Sequence, residues 1–209
     1  MLMHDRFDDD RYLPLDPDSG FFPEEKHIAE PAHHFPDEQP LCVDMPYPIA
    51  KANSKNEKYA ELIRGSFCGK ESELTAVMNC LYHGLRFSQN CPELARALIG
   101  IAFCEMRHLI LLGRLLLSLG GNPKFFCRLP TNSNMGGWWN AQPMTLGYCD
   151  SIDTALKNGI AAEKATIAEY KSIAEYVDDE GVRAVLKRMI ADEQLHLETL
   201  ECFYSRFCN

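Results

Sequence analysis

No two of the nine cysteines are spaced as a C-x-x-C pair. That absence excludes a zinc ribbon, a vicinal redox dithiol and a built-in rubredoxin-type iron centre. Scattered as they are, the cysteines read as reduced, buried thiols of an intracellular chain. Long apolar runs are also missing: the longest, 109–119, is broken by Gly113, Arg114 and Ser118, which leaves nothing to cross a membrane. The opening residues, MLMHDRFDDD, lack the apolar core of a signal peptide, so the expectation is a soluble, cytoplasmic protein without a membrane partner. Basic charge is nowhere in excess. Residues 1–50 carry twelve acids against three bases, which accounts for the whole net charge of -9, and from Lys51 onward acids and bases balance. Without a basic stripe there is no surface for a nucleic-acid backbone.

Proline is scarce beyond residue 48, because eight of the twelve prolines fall within the first 48 residues, in a stretch dense in Asp and Glu. Residues 1–50 therefore read as an acidic, proline-rich arm and residues 51–209 as the folded domain. After a short helical stretch at 56–64, four longer helical patterns follow at about 71–88, 92–119, 151–177 and 180–207. Pro92 marks a start, Gly120, Gly121 and Pro123 a stop, and Ser151 an N-cap. The second and third patterns are separated by a stretch rich in Gly, Pro, Asn and aromatics that includes Trp138 and Trp139, read as interface or lid packing. One long crossover between otherwise short loops predicts an all-α, ferritin-like four-helix bundle.

The seams of these helices carry the chemistry. In the second pattern Leu94, Leu98, Ile101, Glu105, His108, Leu112, Leu115 and Leu119 alternate by four and three, one buried stripe. The fourth repeats it with Val182, Leu186, Met189, Glu193, His196, Leu200, Phe203 and Phe207. The third gives Leu156, Ile160, Glu163, Ile167, Tyr170, Ala174 and Val177, and the first places Glu73 ahead of Val77, Cys80, Gly84 and Phe87. An ionised carboxylate in hydrocarbon costs several kcal/mol even after relaxation unless it is paired or holds a cation. No Lys or Arg lies on these seams. Glu73, Glu105, His108, Glu163, Glu193 and His196 are thus the candidate ligands of two divalent ions, and oxygen-rich ligation with one imidazole per ion suits iron or manganese. Glu-x-x-His alone decides little: Glu24 with His27 and Glu30 with His33 match it inside the arm, where they read as solvated tail residues.

From about residue 46 to 207 the chain resembles the ferritin-like dimetal-carboxylate superfamily, and within it the manganese catalase and bacterial ferritin-like branch. The segments that carry the likeness are GKESELTAVMNCLY at 69–82, EMRHLILLGRLLLSLGG at 105–121, and IAAEKATIAEY, VDDEGVR and ADEQLH between 160 and 196. The resemblance implies that Glu105 bridges two metals, that Glu193 bridges them or sits just outside, and that Glu73 and Glu163 are terminal ligands. It further implies two Mn or Fe ions per chain, a homo-oligomer, and hydrogen peroxide or oxygen as the reacting partner, with peroxide disproportionation first. Glu193 and Tyr170 are the candidate catalytic residues, Tyr170 as a hydrogen-bond donor two turns from Glu163. Rubrerythrin-type peroxidases usually carry a rubredoxin-like C-x-x-C module, and catalase chemistry needs no such donor. The known manganese catalases are usually longer, and some place a basic residue where this chain has Ala162. Two alternatives stay open: a ferroxidase or iron-handling protein, and a structural coat-type protein that retains its metal site.

Overall fold

The structure, a computed structural model, describes residues 39–125 and 147–208. The arm as far as residue 38, with its two Glu-x-x-His matches, lies outside the described residues, as do Trp138 and Trp139. Five helices follow one another: α1 (Glu57–Cys68), α2 (Glu73–Phe87), α3 (Pro92–Ser118), α4 (Ile152–Tyr176) and α5 (Glu180–Phe207). No strand occurs among the described residues.

Each helix end has a chemical cause. Asn56, Ser151 and Asp179 cap α1, α4 and α5 by accepting the backbone N–H of Tyr59, Thr154 and Val182, satisfying donors that the helix leaves unpaired. Pro92 opens α3, where its missing N–H costs nothing. Beyond the other end of α3, Gly120 takes a left-handed backbone, φ 86°, and turns the chain. The helix expected at 56–64 runs on to Cys68 and takes Gly65 into its interior. It stops at Gly69, whose Cβ, were it present, would strike the Gly65 carbonyl.

α2 packs on α3 and α4 on α5, and the two hairpins meet across α3 and α5, with α1 lying against α3 and α2. Residues 119–151 join α3 to α4, the long crossover of the ferritin-like arrangement. The apolar seam residues divide into two cores. One gathers α1 with Leu112, Leu115, Leu119, Ile173, Val177, Val182, Leu186 and Met189, and the other gathers Phe87, Leu94, Leu98, Ile101, Leu156 and Leu200. A fully buried Leu, Ile, Val or Met contributes about 1.5–3 kcal/mol, so hydrocarbon on both sides holds the helices in register. Between the two cores runs a layer that is not hydrocarbon. Phe207 departs from the seam expectation: it is 41% exposed.

Residues 39–53, which the sequence places mostly in the arm, run as a non-helical strap over the bundle. Leu41 N–H donates to Gly100 O at 2.9 Å, Ala52 N–H to Ser118 Oγ at 2.9 Å, and Asn53 N–H to Asp179 Oδ2 at 2.7 Å. Gly181 lets the Lys51 carbonyl pass over the start of α5, where a Cβ would collide with it.

Candidate metal centre

The layer between the cores is built by four helices. α3 presents Glu105 and His108 one turn apart, α5 presents Glu193 and His196 in the same way, α2 presents Glu73 from its first residue, and α4 presents Glu163 from its middle. All six are buried, from 7% exposed at Glu163 down to nothing at His108, Glu193 and His196. The structure therefore brings together every residue that the seams single out. Glu73, Glu105, His108 and Glu193 each offer a ligand atom, all within 4.8 Å of one another, and so do Glu105, Glu163, Glu193 and His196.

Glu105 and Glu193 belong to both groups, and their two oxygens divide between the two histidines. His108 Nδ1 lies 3.0 Å from Glu105 Oε2 and 3.0 Å from Glu193 Oε1. His196 Nδ1 lies 3.1 Å from Glu105 Oε1 and 3.1 Å from Glu193 Oε2. The outer carboxylates complete each side, Glu73 at 3.6 Å from His108 Nδ1 and Glu163 at 3.8 Å from His196 Nδ1. A twofold relation between the hairpins is visible in these distances. The Tyr170 hydroxyl, on the α4 seam, donates to Glu73 Oε1 and so ties α4 to α2.

The outward nitrogens are held as firmly. His108 Nε2 donates to Asp192 Oδ2 at 3.0 Å, and His196 Nε2 donates to the Leu41 carbonyl at 2.8 Å. With the proton kept on Nε2, each Nδ1 lone pair faces the carboxylates, the orientation that metal-bound imidazoles take from an outer acceptor. Asp192 is wholly buried and also accepts from Val43 N–H and the Tyr47 hydroxyl, each at 2.7 Å, with Arg188 Nη1 at 2.6 Å. These contacts, opposed by burial, hold Asp192 well below the ordinary carboxylate range.

The electrostatics of the layer ask for positive charge. Burial pushes Glu73 and Glu163 well above the ordinary carboxylate range, and the neighbouring carboxylates push them further. Burial acts the same way on Glu105, but His196 and His108 against its two oxygens outweigh it and hold it low. Burial would lower both histidines; Glu193 and Glu73 raise His108, and Glu105 raises His196. Protons on two imidazoles are a poor match for four carboxylates, and two divalent cations beside the Nδ1 atoms would match them in full. One atom supports this directly: Glu193 Oε1 is buried and accepts no hydrogen bond of usable direction. Ligand atoms on opposite sides of one ion stand about 4.0–4.4 Å apart when the bonds are about 2.0–2.2 Å, which the 4.8 Å span of each group accommodates. The residues present fit a dinuclear metal site.

Sequence reasoning missed the outer layer: Asp192, Arg188, Tyr47 and the Leu41 carbonyl. Arg188 and Asp192 are spaced i, i+4 on α5, a pairing that the sequence does display. Nothing in it assigns that pair to His108 of another helix, or places the strap under His196.

The rubrerythrin family model matches residues 68–204, a span that contains all six candidate ligands. No curated protein matches the chain. Among solved structures, KatB, a manganese catalase from Anabaena, is 20% identical over 78% of this chain and 78% of its own, with a TM-score of 0.66. The bacterioferritin of Rhodobacter capsulatus, a structure with a metal-free dinuclear site and heme iron, is 20% identical over 73% of this chain and 89% of its own, with a TM-score of 0.59. A dodecameric thioferritin from Bacteroides fragilis is 15% identical over 72% of this chain and 86% of its own, with a TM-score of 0.56. At such identities the likeness is one of fold.

Proposed function

The chain belongs to the rubrerythrin family, and on that premise we propose that it is a dimetal oxidoreductase acting on hydrogen peroxide or oxygen, with disproportionation of peroxide as its reaction. The observation that carries the reading is the buried layer in which Glu105 and Glu193 each reach both histidines while Glu193 Oε1 goes without a hydrogen bond. Glu105 and Glu193, which each face both histidines, would be shared between two ions or, for Glu193, would stand just outside them, while Glu73 with His108 and Glu163 with His196 would each serve one ion.

Two manganese or iron ions held there would supply two-electron redox chemistry and Lewis acidity toward an oxygen–oxygen bond. The side chains of this chain supply the rest. Asp192 and the Leu41 carbonyl fix the tautomer and the direction of the two imidazoles. Tyr170 orients Glu73 by donating its hydroxyl proton to Oε1, and in this reading the same hydroxyl stands ready to exchange that proton with a reacting oxygen. The two apolar cores exclude bulk water from both ends of the layer. A cavity of about 80 Å³, bordered by Ala76, Asn79, Gly159, Ala162 and Glu163, reaches the layer from the α2 and α4 side. It has room for a few water-sized molecules, which suits peroxide or dioxygen. No C-x-x-C pair stands in the chain, in keeping with a reaction in which peroxide serves as both electron donor and acceptor.

Two ions per chain, a homo-oligomeric assembly and a cytoplasmic setting complete the proposal. It is tested by measuring the metals in protein purified without additions, then loading the folded chain with manganese and separately with iron and following oxygen release from peroxide. Release well above that of the same concentration of free metal is expected. If two ions are bound and no such release follows with either metal, the catalase reading is wrong. Oxidation of ferrous iron by dioxygen would then identify an iron-handling protein.

A further inference from the structure

Outside the ligand layer, the described residues hold one further group of metal-type side chains: Cys42 Sγ, Cys104 Sγ and an Asp192 oxygen, all within 4.8 Å of one another. A third metal is a poor occupant, because Asp192 already accepts from Val43 N–H, Tyr47 and His108 and is ion-paired with Arg188, and the Arg107 guanidinium stands close by. Two sulfurs within 4.8 Å of each other remain. We propose that Cys42 and Cys104 form a dithiol that hydrogen peroxide oxidises to a disulfide, clipping the 39–53 strap to α3 beside the metal layer.

The register that opposes the two sulfurs is set by the backbone. Leu41 N–H donates to Gly100 O at 2.9 Å, and Gly100 allows the approach, since a Cβ there would stand 3.2 Å from Gln39 O and 3.3 Å from Leu41 Cβ. One turn further along α3 is Cys104, wholly buried, with Sγ 3.6 Å from His108 Nε2 and 3.7 Å from the Tyr47 hydroxyl. Cys42 is partly exposed, and Arg107 Nη1 lies 3.2 Å from its sulfur. A reachable sulfur with a buried partner behind it is the arrangement of a cysteine that an oxidant meets first and one that resolves it.

The chemistry balances with peroxide alone. The Cys42 sulfur bonds to one peroxide oxygen and the oxygen–oxygen bond breaks, which leaves a sulfenic acid and one water. The Cys104 sulfur then bonds to the Cys42 sulfur, the sulfur–oxygen bond breaks, and a second water leaves. Each sulfur loses one electron, peroxide gains two, and both thiol protons end in water. Closing the bond to about 2.05 Å draws Cys42 inward. The residue before it, Leu41, holds His196 Nε2, while Cys104 touches His108 Nε2. Oxidation therefore bears on the outer hydrogen bonds of both imidazoles at once.

The inference rests on the peroxide reading for the choice of oxidant only, since the sulfurs react whether or not ions fill the layer. The full chain, stripped with a chelator and separately loaded with manganese, is treated with a few equivalents of hydrogen peroxide. The remaining thiols are alkylated and the chain is digested without reductant for mass spectrometry. The expected result is a peptide pair linked through Cys42 and Cys104 in the stripped chain, reversed by dithiothreitol and missing in Cys42→Ser. Slower hydrogen exchange over 39–53 after oxidation is expected with it. If both cysteines stay alkylatable while exposed Cys202 is oxidised, or if Cys42 links to another cysteine, the inference fails. A linked pair in a chain that releases no oxygen from peroxide upholds this inference while the catalase reading falls. Oxygen release without the link does the reverse.

Discussion

Replacing Asp192 with Asn keeps the shape of a buried side chain and removes its charge. Asp192 Oδ1 accepts Val43 N–H at 2.7 Å, and Oδ2 accepts Tyr47 at 2.7 Å and His108 Nε2 at 3.0 Å beside Arg188 Nη1 at 2.6 Å. An amide has one oxygen, so whichever way it turns, its NH2 group faces donors that had an acceptor. Arg188, 7% exposed, loses its carboxylate and keeps the Val43 and Met45 carbonyls and the face of the Tyr47 ring. Breaking a buried pair from one side costs about 3–5 kcal/mol, and because those two carbonyls remain, the lower end, about 3 kcal/mol, is expected in denaturant unfolding of the metal-free chain. Metal affinity should respond unevenly. Loss of the acceptor behind a metal-bound His costs about 10–100-fold in affinity, equal to about 1.4–2.7 kcal/mol, and it falls on the ion beside His108. The ion beside His196 leans on the Leu41 carbonyl and should change less. Calorimetric titration with manganese separates the two sites. Equal weakening at both, or unchanged stability of the metal-free chain, would refute the role assigned to Asp192.

Ala at His108 or at His196 removes one imidazole and leaves four buried carboxylates. Each variant should stay helical by circular dichroism, bind close to one ion per chain instead of two by elemental analysis, and lose peroxide turnover. Removal of residues 1–38 should leave helicity and metal content unchanged, since the bonds that tie the strap to the bundle begin at Leu41. Removal of 1–53 takes away Leu41, Val43 and Tyr47 and should lower both the thermal midpoint and metal retention, read by calorimetry and elemental analysis. Gly84→Ala places a Cβ 2.7 Å from Ile99 Cδ1 across the α2–α3 contact. Overpacking of this kind costs about 1–3 kcal/mol, and a variant as stable as the parent in urea would show that Ile99 yields freely.

Four long helices were legible because a helix seam repeats by threes and fours, and Glu105, His108, Glu193 and His196 were legible because they interrupt otherwise apolar seams. Glu163 and Glu73 followed from the same periodicity, and Ser151 from its capping chemistry. The strap was not legible. Three prolines and Asp44 at 39–48, continuing a proline-rich acidic stretch, read as an arm, and the backbone bonds that fix it run to Asp192, Gly100 and Ser118, so no periodic pattern records them. Phe207 followed the period and still came out exposed, because periodicity marks a face and only the neighbouring helices decide how far along it that face is covered. What the sequence determined by itself is therefore the helix set, the excess of buried carboxylate and the residues that carry it, all consequences of spacing along one chain. What only tertiary structure decided is which oxygen of Glu105 and Glu193 faces which imidazole, and which groups brace those imidazoles from outside. Those contacts join positions distant in sequence, and their geometry exists only once the two hairpins and the strap have closed on one another.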